Sequence, residues 1–585
     1  MRTLWGRSAA WAIAVTLASC SDSADPPQGG GGAAAHDPGG GHGGSGGHAT
    51  SGGGGSGVEP LSGLPPAESV IGETFQSNQT CEMCHAAGSG VLRDDQGRDV
   101  SPTRLYASSM MSLSARDPYW LAAISREVEV NPAAETYVED VCTRCHAPAG
   151  ARELEAQGAT LTLDHVLTGT STESHLAREG VACTVCHQIS AEGLGEVATF
   201  DGAFEVGAER QIFGPHAQPF AMPMMQHVQY TPVEAPHMLE SKLCASCHTV
   251  ITSAVDDSGL PTGPEVNEQV TFLEWRNSAF AGAGGITCQG CHLPTTDQDG
   301  APITTKLSLM PQNGNIAPRA PIGRHLLSGG NAYMLELMAA NASWVGLPSA
   351  AAMLEGAAVA RATLGDAASL VVSDVTGAGG DLSFDVTVTN GTGHKLPTGY
   401  PGRRMWLHVV VRDGAGGVLF ESGSTDARGA LLDGSGERLD PPEVVLPHLD
   451  VVTSEDEVQV WESVLADDSG APTHVLLDAW GFAKDDRLLP AGWSPTHADA
   501  GRTSAVGVGD DPSFLPGSDR VTFVLAGLAT AASVEVELLF ESVPPAALDA
   551  FAAGPDTPAG LAFLHMAEGT PPAPIVMAAS QASVP

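Results

Sequence analysis

Five copies of one short pattern, Cys-x-x-Cys-His, dominate the first half of this chain of 585 residues. They are CEMCH (81–85), CTRCH (142–146), CTVCH (183–187), CASCH (244–248) and CQGCH (288–292). Apart from Cys20, every cysteine of the chain belongs to one of these copies. Any fold for this sequence must therefore hold five similar clusters of two thiols and one imidazole.

The pattern is the attachment motif of c-type haem, whose vinyl groups form thioethers with both thiols while the histidine ligates the iron. Structural zinc combines cysteine pairs and does not need a histidine after each pair. Disulfides within each motif would close only very short loops and gain little chain entropy. We therefore expect five covalently bound haem c groups. The expected thioether cysteines are Cys81, Cys84, Cys142, Cys145, Cys183, Cys186, Cys244, Cys247, Cys288 and Cys291. The expected proximal iron ligands are His85, His146, His187, His248 and His292.

Electron-transfer haems also need a distal ligand, histidine or methionine, on the other face of the iron. The loop 214–248 carries three histidines, and it is too polar and too interrupted by proline to form a helix face. One more histidine opens a short helix after the fifth motif, and two methionines precede the second motif in a helical stretch, where core packing is the alternative. The distal candidates in this half are His216, His227, His237, His325, Met110 and Met111.

The chain beyond about 366 contains no cysteine and alternates apolar and polar residues, a pattern typical of strands. Seven runs (SLVVSDV, DLSFDVTVTN, MWLHVVVRD, EVQVWES, HVLLDAW, RVTFVLAG and SVEVELLFES) predict an antiparallel, immunoglobulin-like β-sandwich. In 404–412 the alternation places Met405, Leu407, Val409 and Val411 on one face and leaves the intervening histidine solvated. The remaining histidines of this half, apart from the one discussed next, are assigned to the surface: His448, His474, His497 and His565.

One histidine of this half has an unusual setting, TNGTGHKLPTGYP. We expect Gly391 and Gly393 to allow backbone turns that other residues disfavour, and Pro397 to fix the exit of the chain. Such a turn would hold one imidazole at the rim of the sandwich. We therefore predict that His394 reaches back to a haem as a distal ligand and couples the two halves.

The N-terminus has the features of an export signal, with Arg2 and Arg7 before an apolar stretch at 9–18. The ending LASC at 17–20 resembles the lipobox of bacterial lipoproteins, in which Cys20 is lipidated. A Gly/Ser/Pro-rich tether follows at 21–66. We expect an exported protein, anchored by lipid to the outer membrane and facing the periplasm or the cell surface.

The predicted organisation is multidomain. After the signal peptide (1–20) and the tether (21–66), we expect a haem-packed, mostly helical or irregular body at 67–365. The β-sandwich occupies 366–545, and 546–585 form an extension that packs on the body or trails from it. The net charge of −41 excludes nucleic acid as a partner.

Longer motifs extend the argument from single residues to a family. GVACTVCHQI, LCASCHTV, TFLEWRNSAF, GGNAYML, GHKLPTGYPGRRMWLHVVVRD, KDDRLLP and GDDPSFLPGSDRV resemble exported multihaem c-type cytochromes with a C-terminal β-sandwich. The resemblance spans most of 70–545 and implies electron transfer between redox proteins. Within it, SSMMSLSARDPYW is similar to a methionine-bearing segment and APIGRHLLSGGN to a histidine-bearing one. CHAPAG (145–150) departs from the family, where methionine is expected in place of the alanine after the haem histidine.

The leading functional prediction is a five-haem cytochrome that transfers electrons in the periplasm or at the cell surface, between a redox-protein donor and acceptor or to an extracellular acceptor. The rival is a multihaem reductase or oxidase with one open haem position that acts on a small nitrogen or sulfur oxyanion. No motif ends in lysine, the pattern of nitrite reductase substrate haems, and no cluster of His, Lys or Tyr suggests a substrate pocket. We therefore favour an electron carrier over a catalyst.

Overall fold

The computed structural model describes residues 57–207, 209–311 and 316–585. The predicted signal peptide, Cys20 and most of the predicted tether lie outside these residues. Within them, no helix combines the length and the apolar character needed to cross a bilayer.

Short helices joined by irregular segments make up the first half. Proline begins or nearly begins several of them, because the first turn needs no backbone N–H donor. The helices are α1 Asn78–His85, α2 Pro102–Tyr106, α3 Pro118–Val130, α4 Glu135–His146, α5 Pro148–Ala156, α6 Leu163–Leu167, α7 Thr172–Ala177, α8 Cys183–Cys186, α9 Met222–His227, α10 Lys242–Ala245, α11 Thr271–Arg276, α12 Cys288–His292, α13 Ala332–Ala340, α14 Ala342–Val345 and α15 Ala351–Ala367. Turns of 3-10 helix lie at Met110–Leu113, Pro132–Ala134, Val197–Thr199, Pro236–Leu239 and Ala279–Ala281.

Two small sheets complete this half. Strands β1 Gln211–Gly214 and β2 Thr231–Glu234 pair in parallel, and β3 Val250–Ser253 and β4 Glu265–Gln269 pair antiparallel. The expectation that the loop 214–248 holds no helix is wrong, because both α9 and α10 lie within it. α9 is formed despite a proline. Its Pro223 lies in the first turn, where proline is tolerated.

The second half is built mainly from strands, with three further helices. The strands are β5 Ala368–Ala378, β6 Asp381–Asn390, β7 Arg404–Asp413, β8 Val418–Ser422, β9 Val451–Val452, β10 Val460–Ala466, β11 Pro472–Thr473, β12 Gly481–Asp485, β13 Ser518–Leu525, β14 Ala531–Glu541 and β15 Ile575–Ser583. The helices are α16 Ala500–Thr503, α17 Pro545–Ala553 and α18 Pro558–Gly569.

These strands form two sheets. The larger has the order β11-β10-β7-β14-β15, with β12 also paired to β10 and β8 to β7; the smaller has the order β5-β6-β13-β9. Their inner faces share one apolar cluster, in which Phe384 of β6 and Phe523 of β13 stack with ring centres 4.8 Å apart. The predicted inward face of β7 is confirmed, since Met405, Leu407 and Val409 all lie in this cluster. The immunoglobulin-like topology stays a prediction.

One predicted strand is wrong. HVLLDAW contains a 3-10 turn at Leu476–Asp478 instead. The backbone N–H groups of Leu476 and Leu477 donate to the Glu127 carboxylate of α3, at 2.5 and 3.2 Å. A side chain from the first half thus takes the donors that a neighbouring strand would otherwise use.

No linker separates the two halves, because α15 ends at Ala367 and β5 begins at Ala368. Leu335 and Met353, on α13 and α15, belong to the same apolar cluster as the inner faces of the two sheets. Residues 546–585 pack on this body through α18, which contacts α3, and through β15 at the edge of the larger sheet.

Candidate haem-binding sites

Each Cys-x-x-Cys-His motif lies in or directly after a helical turn. α1, α4 and α12 end on the motif histidine, whereas α8 spans only Cys183–Cys186 and α10 ends within the fourth motif. A helical turn brings residues three apart onto one face, so the two thiols of a motif point the same way.

Four of the five motif imidazoles have one ring nitrogen held by a hydrogen bond. Four Nδ1 atoms lie 2.7–3.2 Å from backbone carbonyl oxygens: His85 with Leu307, His146 with Ser114, His187 with Phe213 and His292 with Ser328. The fifth, His248, lies beside the Gln269 side chain, which donates to the carbonyl of the preceding Cys247 at 3.2 Å. A carbonyl at Nδ1 holds the proton there and leaves Nε2 as the ligand atom, as in most metal-binding histidines.

Burial keeps these imidazoles neutral. It lowers the pKa of all five, to about 4 for His146 and His292. Neutral imidazole is the form that binds a metal. The donor set therefore fits iron ligation from one side, with adjacent thiols for the thioether bonds.

His325 lies opposite one of these imidazoles. Its ring centre is 6.4 Å from that of His187, and the ring planes differ by 20°. Two imidazoles on opposite sides of one metal ion have centres about 6.2 Å apart, since each ligating nitrogen lies about 2 Å from the metal and about 1.1 Å from its ring centre. The Nδ1 of His325 is engaged by the carbonyl of Gly323 at 3.0 Å. Burial and the charge of His187 lower the pKa of His325 to about 4.

His394 is directed at the first half. Its Nδ1 lies 2.9 Å from its neighbour's carbonyl, that of Lys395, and burial lowers its pKa. Burial is the largest cause of the lowered pKa of His292, and repulsion from His394 is the second largest. The same repulsion contributes to the lowered pKa of His248. The turn thus brings His394 near the fourth and fifth motifs.

The glycines of this turn act differently from the expectation. Neither Gly391 nor Gly393 has a positive φ; in this segment Gly399 and Gly402 do. A Cβ on Gly393 would lie 3.1 Å from Trp275 Cδ1 and 3.2 Å from Phe280 Cγ. Gly393 is therefore required for close approach to the first half.

A buried ionic network fixes the same turn. Lys395 Nζ donates to Asp485 at 2.7 Å, and Arg487 Nε donates to the other oxygen of that carboxylate at 2.7 Å. Glu274 of α11 accepts from the backbone N–H of Lys395 at 3.1 Å and from Thr398 Oγ1 at 2.6 Å. Sequence reasoning missed this network, although its charged residues occur inside TFLEWRNSAF, GHKLPTGYPGRRMWLHVVVRD and KDDRLLP.

The other distal candidates differ in their surroundings. His237 is buried, with Nε2 2.9 Å from the carbonyl of Ile189, two residues after the third motif. His216 is half-buried, and His227 is exposed at the end of α9. Met110 packs in two apolar core clusters, whereas Met111 packs against the cluster that also contacts Cys186 and Cys247.

Trp120 was not anticipated as a site residue. Its ring stacks on that of His146, with centres 4.7 Å apart and planes 4° apart. It lies in DPYWL, close behind the two methionines in the sequence. This contact fixes the orientation of the second motif's imidazole.

Contacts between thiols connect different motifs. Cys81 lies close to Cys183, Cys145 to Cys247, and Cys244 to Cys288. Burial and the charge of nearby Cys247 raise the pKa of Cys186 to about 12. These contacts place the first motif beside the third, the third beside the fourth, and the fourth beside both the second and the fifth.

No protein-family model and no curated protein matches this chain. Among solved structures, the chain is similar to a penta-haem cytochrome c552 from Thermochromatium tepidum, with 18% sequence identity and a TM-score of 0.48. The match covers 88% of this chain and 99% of that one. A likeness this distant carries no argument about fold or function, which rest on the residues described above.

Proposed function

We propose that this protein is a five-haem c-type cytochrome that transfers electrons between redox partners. The observation that carries the proposal is the set of five motifs, each with two thiols followed by an imidazole whose pKa is lowered, four of these imidazoles being held at Nδ1 by a backbone carbonyl. Zinc and disulfide alternatives do not account for a neutral, oriented imidazole after every thiol pair. When bound, each haem supplies an iron that alternates between the ferrous and ferric states.

The 6.4 Å separation supports His187 and His325 as the two axial ligands of the third haem. Proximity to His292 and His248 supports His394 as the distal ligand of the fourth or the fifth haem. Met111, which packs against the same apolar cluster as Cys186 and Cys247, is the better methionine candidate, and Met110 serves packing.

The order of thiol contacts supports a branched electron route. The first, third and fourth motifs form a line, and the second and fifth both adjoin the fourth. Haems attached at adjacent thiols would lie close to one another. The fourth site would then adjoin the second, third and fifth, and the first would connect to it through the third.

We further propose export and lipidation at Cys20, supported by the LASC ending and the Gly/Ser/Pro-rich stretch after it. The net charge of −41 favours a partner with a basic docking face. A Cys20→Ser variant that still partitions with membranes after cell fractionation would contradict lipidation.

A pyridine haemochromogen assay on the purified full chain tests the cofactor, with five haem c per chain expected. Electron paramagnetic resonance of the oxidised protein tests the activity. Low-spin signals alone support a carrier, whereas a substantial high-spin signal that responds to added nitrite or hydroxylamine favours the reductase.

Replacing one axial ligand tests the assignment. His325→Met should shift the potential and spectrum of one haem while the haem count stays at five. His565→Met, an exposed histidine on α18, is the matched control and should change neither. Equal spectra for both variants would remove His325 from the ligand set.

A further inference from the structure

His448 contradicts its assignment to the surface, because only 2% of its side chain is exposed. It lies between β8 and β9 among three aspartates from separate segments. Asp486 follows β12, Asp511 precedes β13 and Asp519 lies on β13, and their side chains are 0%, 3% and 1% exposed. This group takes no part in the haem sites described above.

The Nδ1 side of His448 is held by the protein. Asp486 Oδ2 lies 3.0 Å from Nδ1, and the Gln459 amide, 3.0 Å from Nδ1, donates to the same carboxylate at 3.3 Å. A carboxylate facing Nδ1 places the proton on that nitrogen. The pair has the arrangement of the carboxylate–histidine contacts that orient metal-bound imidazoles.

The opposite nitrogen faces two more carboxylates. Nε2 lies 3.1 Å from Asp511 Oδ2 and 3.8 Å from Asp519 Oδ2, and the three ligand atoms all lie within 4.8 Å of one another. With the proton on Nδ1, Nε2 has a lone pair, as do both carboxylate oxygens. A cation between these three atoms would relieve the repulsion of their lone pairs. Without one, a second proton on Nε2 takes that place, and the aspartates raise the pKa of His448 against the lowering by burial.

The two carboxylates are also oriented from behind. The backbone N–H and the hydroxyl of Ser513 both donate to Asp511 Oδ1 at 2.7 Å, which turns Oδ2 inward. The backbone N–H of Arg520 donates to Asp519 Oδ1 at 2.7 Å, and the Trp461 indole donates to Oδ2 at 2.9 Å. These hydrogen bonds hold the carboxylate oxygens of Asp511 and Asp519 in place, as a metal site requires of its ligand atoms.

Charge balance gives a separate argument. Lys484 Nζ lies 3.3 Å from Asp486 and is shared with Glu462 at 3.4 Å. With Glu462, four carboxylates therefore lie in this region, and Lys484, beside Asp486 and Glu462, is the ammonium among them. A dication at the site would offset most of this excess of buried negative charge.

We propose that His448, Asp511 and Asp519 bind one divalent transition-metal cation, with Asp486 as the outer partner that orients His448. One imidazole nitrogen with two carboxylates suits Zn²⁺ or Mn²⁺, whereas Ca²⁺ and Mg²⁺ prefer oxygen ligands throughout. The ion joins the segments around 448, 511 and 519. It also fixes Asp486, whose neighbour Asp485 holds Lys395 beside His394.

Metal analysis of the full-length holoprotein tests the site. His36, His42 and His48 are first replaced by alanine, so that the histidines of the N-terminal stretch contribute no Zn²⁺. The protein is stripped with a chelator, loaded with Zn²⁺ alone or Mn²⁺ alone, desalted and measured by plasma mass spectrometry. We expect one equivalent of Zn²⁺ or Mn²⁺ per chain and a higher thermal unfolding midpoint after loading.

Asp511→Asn and His448→Gln should each lose the bound ion and the metal-dependent rise in midpoint, with haem content unchanged. The matched control Asp510→Asn, an exposed neighbour, should keep both. No ion above the blank in the parent protein overturns the proposal and leaves a buried ionic network with protonated His448. Equal retention by all variants also overturns it, since the ion is then bound elsewhere. If a variant fails to fold, the stoichiometry of the parent decides.

Discussion

Lys395 and Asp485 form an ion pair of 2.7 Å that is almost completely buried, with 1% and 4% of their side chains exposed. Lys395 directly follows His394, and Asp485 is the last residue of β12. The same carboxylate also accepts from Arg487. The turn that carries His394 is therefore fixed by charges that cannot be solvated if one of them is removed.

Asp485→Asn should destabilise the protein strongly, because it leaves two buried cations short of one counter-charge. The expected loss in the free energy of unfolding is about 3–5 kcal/mol. Urea unfolding followed by far-ultraviolet circular dichroism measures it. Glu336→Gln breaks the exposed pair with Arg361 and should cost less than about 1 kcal/mol. Equal, small losses for both would show that the buried pair is not required.

Gly393→Ala should disturb the contact between the halves, since its Cβ would lie 3.1 Å from Trp275 and 3.2 Å from Phe280. Overpacking of this kind costs about 1–3 kcal/mol. Because the change adjoins His394, the spectrum of one haem should shift as well. Gly365→Ala, on α15 with open space around it, should raise the stability by up to about 1 kcal/mol. An unchanged haem spectrum in Gly393→Ala would show that the packing of Gly393 on the first half does not affect haem ligation by His394.

Glu127 should give the stability a pH dependence. Burial raises its pKa to about 7, against the lowering by its hydrogen bonds from Leu476 and Leu477. Between the unfolded value of about 4.3 and about 7, the folded chain holds a proton that the unfolded chain releases, so stability falls as the pH rises. Glu127→Gln should flatten this slope in urea midpoints measured from pH 5 to 7.5. Glu129→Gln, exposed on the same helix, should keep it.

Near-infrared spectroscopy should distinguish a ligand role of Met111 from a packing role of Met110. If Met111 ligates a haem, a methionine–iron charge-transfer band appears in the near-infrared spectrum of the oxidised protein and disappears in Met111→Leu. Met110→Leu should keep the band and change only packing, at less than about 1.5 kcal/mol. A band that survives both substitutions, or is absent from the parent protein, would return both residues to the core.

The local features of this chain could be predicted from the sequence because short-range geometry determines them. The spacing of Cys81, Cys84 and His85 requires one turn of backbone, and the structure has a helix there. The alternation around Leu407 and Val409 likewise follows from the two faces of a strand, and that face is buried.

Features that depend on distant segments could not be predicted in this way. HVLLDAW has the alternation of a strand, yet Glu127 from α3 takes its backbone donors. Gly393 was expected to be needed for a backbone turn. Glycine is needed there because a Cβ would come too close to Trp275, which is distant in sequence. His448 has an unremarkable sequence setting, and its partners Asp486, Asp511 and Asp519 come from three other segments.

The sequence by itself determined the five thiol–imidazole motifs and the change from helical to strand-forming segments, because both follow from residues adjacent in the chain. The tertiary structure alone decided which imidazole lies opposite which. The 6.4 Å between the rings of His187 and His325, and the approach of His394 to the fourth and fifth motifs, depend on how the halves pack. Packing brings together residues that no local pattern connects, because burial depends on the whole chain.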